Sequence, residues 1–455
     1  MTDLDYRPAT LTADHGDLLA RGSARLRQDD PELYGLLSAE IAYERATLPM
    51  VAYASLADPS VLSAAGSALA NVTAEGYPGA RYHPGAGQFD GVERLAIERA
   101  KAAFGAKYAN VQPHSCSSAN LAILMTLLNP GDTMLSLDLD SGGHLTHGAK
   151  ASVTGRYYNA VHYGLDEHGF IDYDAAERLA KEYRPKLIIA GASAYPRAID
   201  YVRFRRIADS VAALLLADIS HIAGLVATGE LASPVDVAHI TTCSTYKQLG
   251  GPRGGIILLG DDHDVVPPGH KLGLAALVQR GIFPKFQGTP SPAAIAAKAR
   301  ALDLVARPKF AEMTRRIALD ARALAAALTE RGWRVLTGGT DNHIVLVDTF
   351  QQGLTGVVAE AALQECGVLA NKNRIANDTK SPMVTSGLRF GTNMLAQRGF
   401  DPSGMNECAE LVDRILRAVR PLTDVEYELS ASVQREVSAQ VAALAAAYPI
   451  MKYAV

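Results

Sequence analysis

Cysteine is scarce in this chain: Cys116, Cys243, Cys366 and Cys408 are the only four in 455 residues, and no two of them form a Cys-x-x-Cys pair. Such spacing argues against a metal site and against a disulfide framework, and it fits a reducing, cytoplasmic setting. An excess of charge of one sign is also missing. Lys and Arg total 44 against 48 Asp and Glu, a net charge of −4, which leaves no basic stripe for nucleic acid and no polybasic patch for a membrane surface. No apolar run reaches the roughly 20 residues that span a bilayer. The acidic start Met1–Arg7 lacks the basic and apolar regions of a secretory signal. What is abundant is apolar sequence, 48 % of the chain, enough to bury two or three domains built for small-molecule chemistry.

The first 60 residues read as a charged helical arm, with a helix start at Asp29-Asp-Pro-Glu where an acidic cap precedes an early proline. From Gly91 to about residue 300 the pattern alternates. Helical stretches at Gly91–Phe104, Ser117–Leu128, Asp174–Tyr183 and Arg203–Val211 separate apolar runs at Thr133–Leu139, Lys186–Ala190, Ala213–Ala217, His239–Thr242 and Gly255–Leu259. Alternation of this kind predicts an α/β fold, a mainly parallel sheet covered on both faces, with ligands held beyond the carboxyl ends of its strands. After Pro290 the chain is alanine-rich and helical through Glu330, with a break near Arg307-Pro308. Short strands at Arg334–Leu336 and His343–Asp348 and helices at Val357–Cys366 and Met405–Val419 then form a smaller α/β domain, and Glu426–Tyr448 reads as one amphipathic helix. The expected division is an arm over 1–60, a large domain over 61–300 and a small domain over 301–455.

The segment with the most chemistry is Thr241-Thr-Cys-Ser-Thr-Tyr-Lys-Gln-Leu-Gly-Gly-Pro-Arg-Gly-Gly255. Lys247 lies there between hydroxyl residues and glycines, in a connection between two strands. A desolvated lysine so placed forms Schiff bases with carbonyls or with pyridoxal phosphate, whereas a solvated loop lysine does nothing. Five further segments stand at strand ends or helix starts. His114–Asn120, with Ser115, Cys116 and Ser117, is either an N-cap or an anion site at a helix N-terminus. Asp218, the first charge after an apolar run, either pairs with a pyridinium nitrogen or caps a loop, and His221 follows it. His144, in Ser141–His147, lies against a cofactor ring or is a core histidine. Ser193 bonds a phenolate or carboxylate, or makes a plain turn. Arg389, flanked by Gly387 and Gly391, grips a substrate carboxylate or forms a surface ion pair.

Together these segments resemble the serine hydroxymethyltransferase family from about Ala74 to Arg420. The likeness rests on Ala74-Glu-Gly-Tyr-Pro-Gly, Ala109-Asn-Val-Gln-Pro-His-Ser, Gly142-Gly-His-Leu-Thr-His-Gly, Gly251-Pro-Arg-Gly-Gly, Gly339-Thr-Asp-Asn-His and Thr385-Ser-Gly-Leu-Arg. The resemblance implies pyridoxal-phosphate transferase fold type I, with a seven-stranded sheet in the large domain, and a homodimer or homotetramer with shared active sites. It implies Lys247 as the cofactor lysine, Asp218 as pyridinium partner, His144 as the ring-stacking residue, and His221 beside a cofactor oxygen. Ser115, Cys116 and Ser117 take the phosphate, completed by Gly288 from a partner subunit, and Arg389 anchors the substrate carboxylate. Glu75 matches the acid/base glutamate, Tyr82 the active-site tyrosine beside it, and Lys372-Asn373 positions near folate. The implied reaction is retro-aldol cleavage of a β-hydroxy amino acid, with the one-carbon unit passed to tetrahydrofolate.

Departures from the family pattern cluster near the substrate. A small serine is replaced at Tyr53, a tyrosine at Thr73, the second of two tyrosines at His83, and a histidine at Tyr246, while a Gly-Gly-Gln-Gly-Gly loop reads Lys285-Phe-Gln-Gly-Thr289. Thr73 in place of a tyrosine opens room beside Cα for a methyl group. The expected substrate is therefore 2-methylserine, or else serine. Alternatives are a folate-independent aldolase or transaldolase on the same scaffold, and a non-catalytic relative, which the intact Lys247, Asp218, His144 and Arg389 argue against.

Overall fold

The computed structural model describes residues 14–450. Seven strands form the central sheet, in the spatial order Tyr108–Asn110, Gly255–Leu259, Ile240–Ser244, Leu214–Asp218, Leu187–Gly191, Thr133–Leu137 and Asn159–Tyr163. Gly255–Leu259 runs antiparallel to both its neighbours, and every other pairing is parallel. The four strands Leu187–Gly191, Leu214–Asp218, Ile240–Ser244 and Gly255–Leu259 are buried along their whole length. Alternate side chains feed two apolar layers: Leu215 and Ala217 join Phe89, Ala96 and Ile207 on one face, Leu214 and Leu216 join Ile123 and Leu124 on the other. The apolar runs thus encode a sheet with helices on both sides, and Asp218 ends one of its central strands at the carboxyl edge.

A second, antiparallel sheet orders Arg334–Val335, Ile344–Asp348, Gly387–Gly391 and Asn371–Asn373. Its core draws on Leu324 and Leu328 of helix Pro308–Glu330, Val358 and Leu363 of helix Gly356–Glu365, and Met405 and Val412 of helix Pro402–Ala418. The break near Arg307-Pro308 is real: one helix ends at Val305 and the next opens with Pro308 at its first turn, where a missing N–H costs nothing.

Three local readings need correction. Helices His15–Asp29 and Pro31–Ala46 fill the described part of the N-terminal stretch, residues 1–13 lying outside the described residues, but helix stops at Ala46 instead of continuing toward residue 60. Leu48 and Pro49 then pair in parallel with Val368 and Leu369, and Leu48 and Met50 enter the core of the second sheet, since apolar side chains gain more there than on an arm. The tail is not one helix: Tyr427–Leu429 pairs with Val419–Pro421, and helix begins only at Ala431. Strand Asn159–Tyr163 has no counterpart among the apolar runs because it is an edge strand, exposed at its start and buried only at Tyr163.

Candidate active site

The carboxyl ends of strands Thr133–Leu137, Leu187–Gly191 and Leu214–Asp218, the start of helix Cys116–Leu127 and the connection after Ile240–Ser244 all meet at one cleft. With its open mouth it spans about 470 Å³, and Ser115, Cys116, Ser117, His144, Ser193, Asp218, His221 and Lys247 line it. Lys247 is only 6 % exposed. The turn that carries it is closed by Gly251, whose N–H donates to the Thr245 carbonyl at 2.8 Å, and by Gly250 at φ +60°. Burial pushes the Lys247 ammonium down to about 8, with Asp218 pulling the other way. The result is an amine that loses its proton near neutrality.

Asp218 is 7 % exposed and fully partnered. Its Oδ2 accepts from Asn120 Nδ2 at 2.8 Å and from His147 Nε2 at 3.1 Å, and its Oδ1 accepts from the Ser220 N–H at 3.0 Å. Burial alone would raise this carboxyl, yet the His147 hydrogen bond and charge, helped by His144, hold it far below the usual carboxylate range. Asp218 is thus a permanent anion at the floor of the cleft. His147 and Asn120, which fix it, were not singled out in the sequence. His147 sits three residues after His144 in the same motif, and that spacing was the available signal; nothing local marks Asn120, an interior helix residue.

His144 Nδ1 meets Thr146 Oγ1 at 2.8 Å, and burial lowers the ring to about 4. The His221 ring is pushed well below its ordinary value by burial, then by Lys247 and Arg389, and it stacks on His343 with centroids 5.9 Å apart and planes inclined by 15°. His343 Nε2 donates to the Ala52 carbonyl at 3.0 Å. Neutral histidines of this kind present hydrogen-bonding nitrogens without adding positive charge.

Ser115 caps helix Cys116–Leu127 through a reciprocal box with Ser118. The first-turn N–H groups of Cys116 and Ser117 have no acceptor within the helix and point with the positive end of its dipole. Gly255 lets this loop approach, because a Cβ there would lie 2.5 Å from the Ser115 carbonyl oxygen. Across the cleft, Arg389 is 8 % exposed. Its Nε donates to Asn371 Oδ1 at 3.0 Å and its Nη1 to the Ser193 carbonyl at 2.5 Å, while the Tyr53 ring lies 5.7 Å from the guanidinium carbon. Arg389 is therefore no surface ion-pair residue, and Ser193 serves it through its carbonyl.

Four expected site residues gather elsewhere. Glu75, Tyr82, His83 and Gly288 form an exposed patch outside the lining of the Lys247 cleft. Glu75 Oε1 lies 3.1 Å from where a Cβ on Gly288 would be, and Glu75 Oε2 is 3.6 Å from His83 Nε2. Tyr82, 73 % exposed, rests on Phe283 with ring centroids 5.5 Å apart. Thr73 is exposed beside this patch, its neighbour Ala74 accepting from and donating to Thr289 Oγ1. The hairpin that carries Glu75 and Tyr82 is anchored by Arg81, which bonds Asp90, Glu93 and the Gly76 carbonyl. Asn373 stands on the strand beside Gly387, with Nδ2 donating to the Arg374 carbonyl, and is two residues from Asn371. The structure thus brings nine of the expected residues together with Tyr53 at the rim, keeps Asn373 on the strand next to that of Arg389, and leaves Glu75, Tyr82, His83, Gly288 and Thr73 in a separate half.

The serine hydroxymethyltransferase family matches residues 26–412. The serine hydroxymethyltransferase of Alkalilimnicola ehrlichii is 48 % identical over 411 residues, 90 % of this chain and 94 % of that protein. That of Chromohalobacter salexigens is 45 % identical over 424 residues, 93 % and 97 % of the two chains, and serine hydroxymethyltransferase 1 of Pseudomonas aeruginosa is 45 % identical over 429 residues, 94 % and 99 %. The chain belongs to the serine hydroxymethyltransferase family, pyridoxal-phosphate-dependent hydroxymethyltransferases whose co-substrate is tetrahydrofolate.

Proposed function

We propose that the Lys247 cleft holds pyridoxal phosphate and that the substrate is 2-methylserine, its one-carbon unit passing to tetrahydrofolate. The observation that carries the cofactor assignment is Lys247 itself, a nearly buried amine lowered to about 8 above a permanently ionised Asp218. The residues fit the group. Asp218 supplies an anion for a protonated ring nitrogen, His144 a neutral ring beside it, and the loop Ser115–Ser117 an anion site. Buried Nδ1 of His221 and Oγ of Ser220 have no partner among the described residues, and such orphans at a cleft are what a bound molecule satisfies. When bound, the cofactor withdraws electrons from the substrate's Cα and so makes the bond to the hydroxymethyl carbon cleavable.

The chain's own residues then have defined tasks. Arg389 orients the substrate carboxylate, with Tyr53 against its guanidinium. Glu75 holds or moves the proton of the substrate hydroxyl, and Tyr82, His83 and Gly288 line the same patch. That patch is exposed and lies outside the cleft, so it serves the cleft of a second subunit. Helix Pro31–Ala46 supports such pairing: Leu33, Leu36, Leu37 and Ile41 lie on one apolar stripe and remain 43 to 65 % exposed. Asn373 borders the folate side. Thr73 contributes no bulk where the notable tyrosine of the family pattern would stand, which supports a substrate with an extra Cα methyl.

The experiment is turnover of 2-methylserine and of serine, each with and without tetrahydrofolate. Folate-dependent conversion of 2-methylserine to alanine, faster than serine to glycine, is expected. Serine preferred over 2-methylserine overturns the substrate, and full turnover without folate makes the enzyme an aldolase.

A further inference from the structure

Lys298 lies on helix Pro292–Val305, is 2 % exposed, and belongs to no part of the site described above. Its Nζ donates to the carbonyls of Val111 at 2.6 Å, Pro113 at 2.9 Å and Gly255 at 3.0 Å. Three acceptors take the three protons of an ammonium and leave no donor to face the lone pair of a neutral amine, so this geometry favours the charged form against the burial that pushes it down to about 7. No carboxylate is in ion-pair range of it among the described residues; Glu93, a carboxylate that acts on it from further away, is tied to Arg81 and Gln112. A buried charge kept without an ion-pair partner is costly, and its three carbonyls say what it is kept for.

Those carbonyls belong to two segments. Val111 and Pro113 lead directly into His114–Ser117, the anion loop. Gly255 opens the strand that follows the Lys247 turn, and its N–H also donates to the Pro113 carbonyl at 3.0 Å. The Gly254 position is reserved for the lysine, because a Cβ there would overlap Lys298 Cε and lie 2.9 Å from Nζ.

We propose that Lys298 is a positioning residue for the anion loop: its buried ammonium clamps Val111, Pro113 and Gly255, setting the start of helix Cys116–Leu127 against the Lys247 turn and placing a positive charge behind the phosphate site. The proposal rests on reading Ser115–Ser117 as that site.

The test compares ligands with and without a phosphate. Apo-protein carrying Lys298→Met, whose side chain keeps the length and loses the charge, is titrated with pyridoxal phosphate, with inorganic phosphate and with pyridoxal. Its fold is checked by thermal unfolding. Affinity for pyridoxal phosphate and for inorganic phosphate is expected to fall about tenfold or more, while pyridoxal binding is kept. Equal losses for pyridoxal and pyridoxal phosphate, or no loss for either, overturn the proposal. If Lys298→Met does not fold, Gly254→Ala, which displaces Nζ while keeping the charge, is put through the same titrations with the same deciding outcomes. Wild-type protein that binds pyridoxal as tightly as pyridoxal phosphate would instead refute the phosphate site itself.

Discussion

The Lys247 cleft and the Glu75 patch contain residues of similar chemistry in opposite environments. In the cleft, Lys247, Asp218, His221 and Arg389 are all less than 9 % exposed; burial lowers Lys247, His221 and Arg389, while the His147 hydrogen bond keeps Asp218 ionised against it. In the patch, Tyr82 is 73 % exposed, and the side chains of His83 and Glu75 are 45 % and 37 % exposed. A charge in the cleft is poised before any ligand arrives; a carboxylate in the patch is still solvated and gains chemical force only when water is excluded. The contrast teaches that one chain carries a buried cofactor cleft and, apart from it, a solvated patch; under the proposed pairing of subunits, assembly is what brings a Glu75 to a Lys247.

The largest expected effect falls on the cleft. Lys247→Ala should lower turnover by about 10³-fold or more and abolish the visible absorption of lysine-linked cofactor; retention of that absorption band would separate the cofactor from this lysine. Next is the boundary between the halves. Thr73→Tyr should lower the ratio of kcat/KM for 2-methylserine over serine by about tenfold or more, since a methyl group loses its space. An unchanged ratio would place the specificity elsewhere, with Tyr53 the next residue to test. The smallest effect is a displaced titration. Lys247 reacts as the free amine, so the rate at which pyridoxal modifies the apo-protein should rise with pH around a midpoint of about 8, below the ordinary lysine value of 10.5. A midpoint at the ordinary value would mean that the cleft does not desolvate the amine.

Much of the cleft was legible in the sequence because strand ends announce themselves: apolar runs stop at Asp218, and glycines mark the turns around Lys247 and before His144. Partners across the fold were not. His147, Asn120 and His343 act by contacts made only when distant segments meet, and Lys298 sits in an alanine-rich helix where nothing local distinguishes it from a surface lysine. Strand Asn159–Tyr163 and the hairpin at Tyr427–Leu429 lack the continuous apolar runs that identify central strands. The separation of Glu75, Tyr82, His83 and Gly288 from the cleft follows from topology, with the hairpin at Gly76–Arg81 and the loop near Gly288 packed together on one face.

The central claim, that each site joins the Lys247 cleft of one subunit to the Glu75 patch of another, is tested by mixing two inactive chains. Lys247→Ala and Glu75→Gln proteins are unfolded, combined and refolded together, and 2-methylserine turnover is measured. Random pairing gives mixed dimers in which one of two sites has both halves intact, so activity should recover to about a quarter of wild type. No recovery from a mixture shown by mass to contain mixed dimers would contradict the account, because every site would then be built within a single chain.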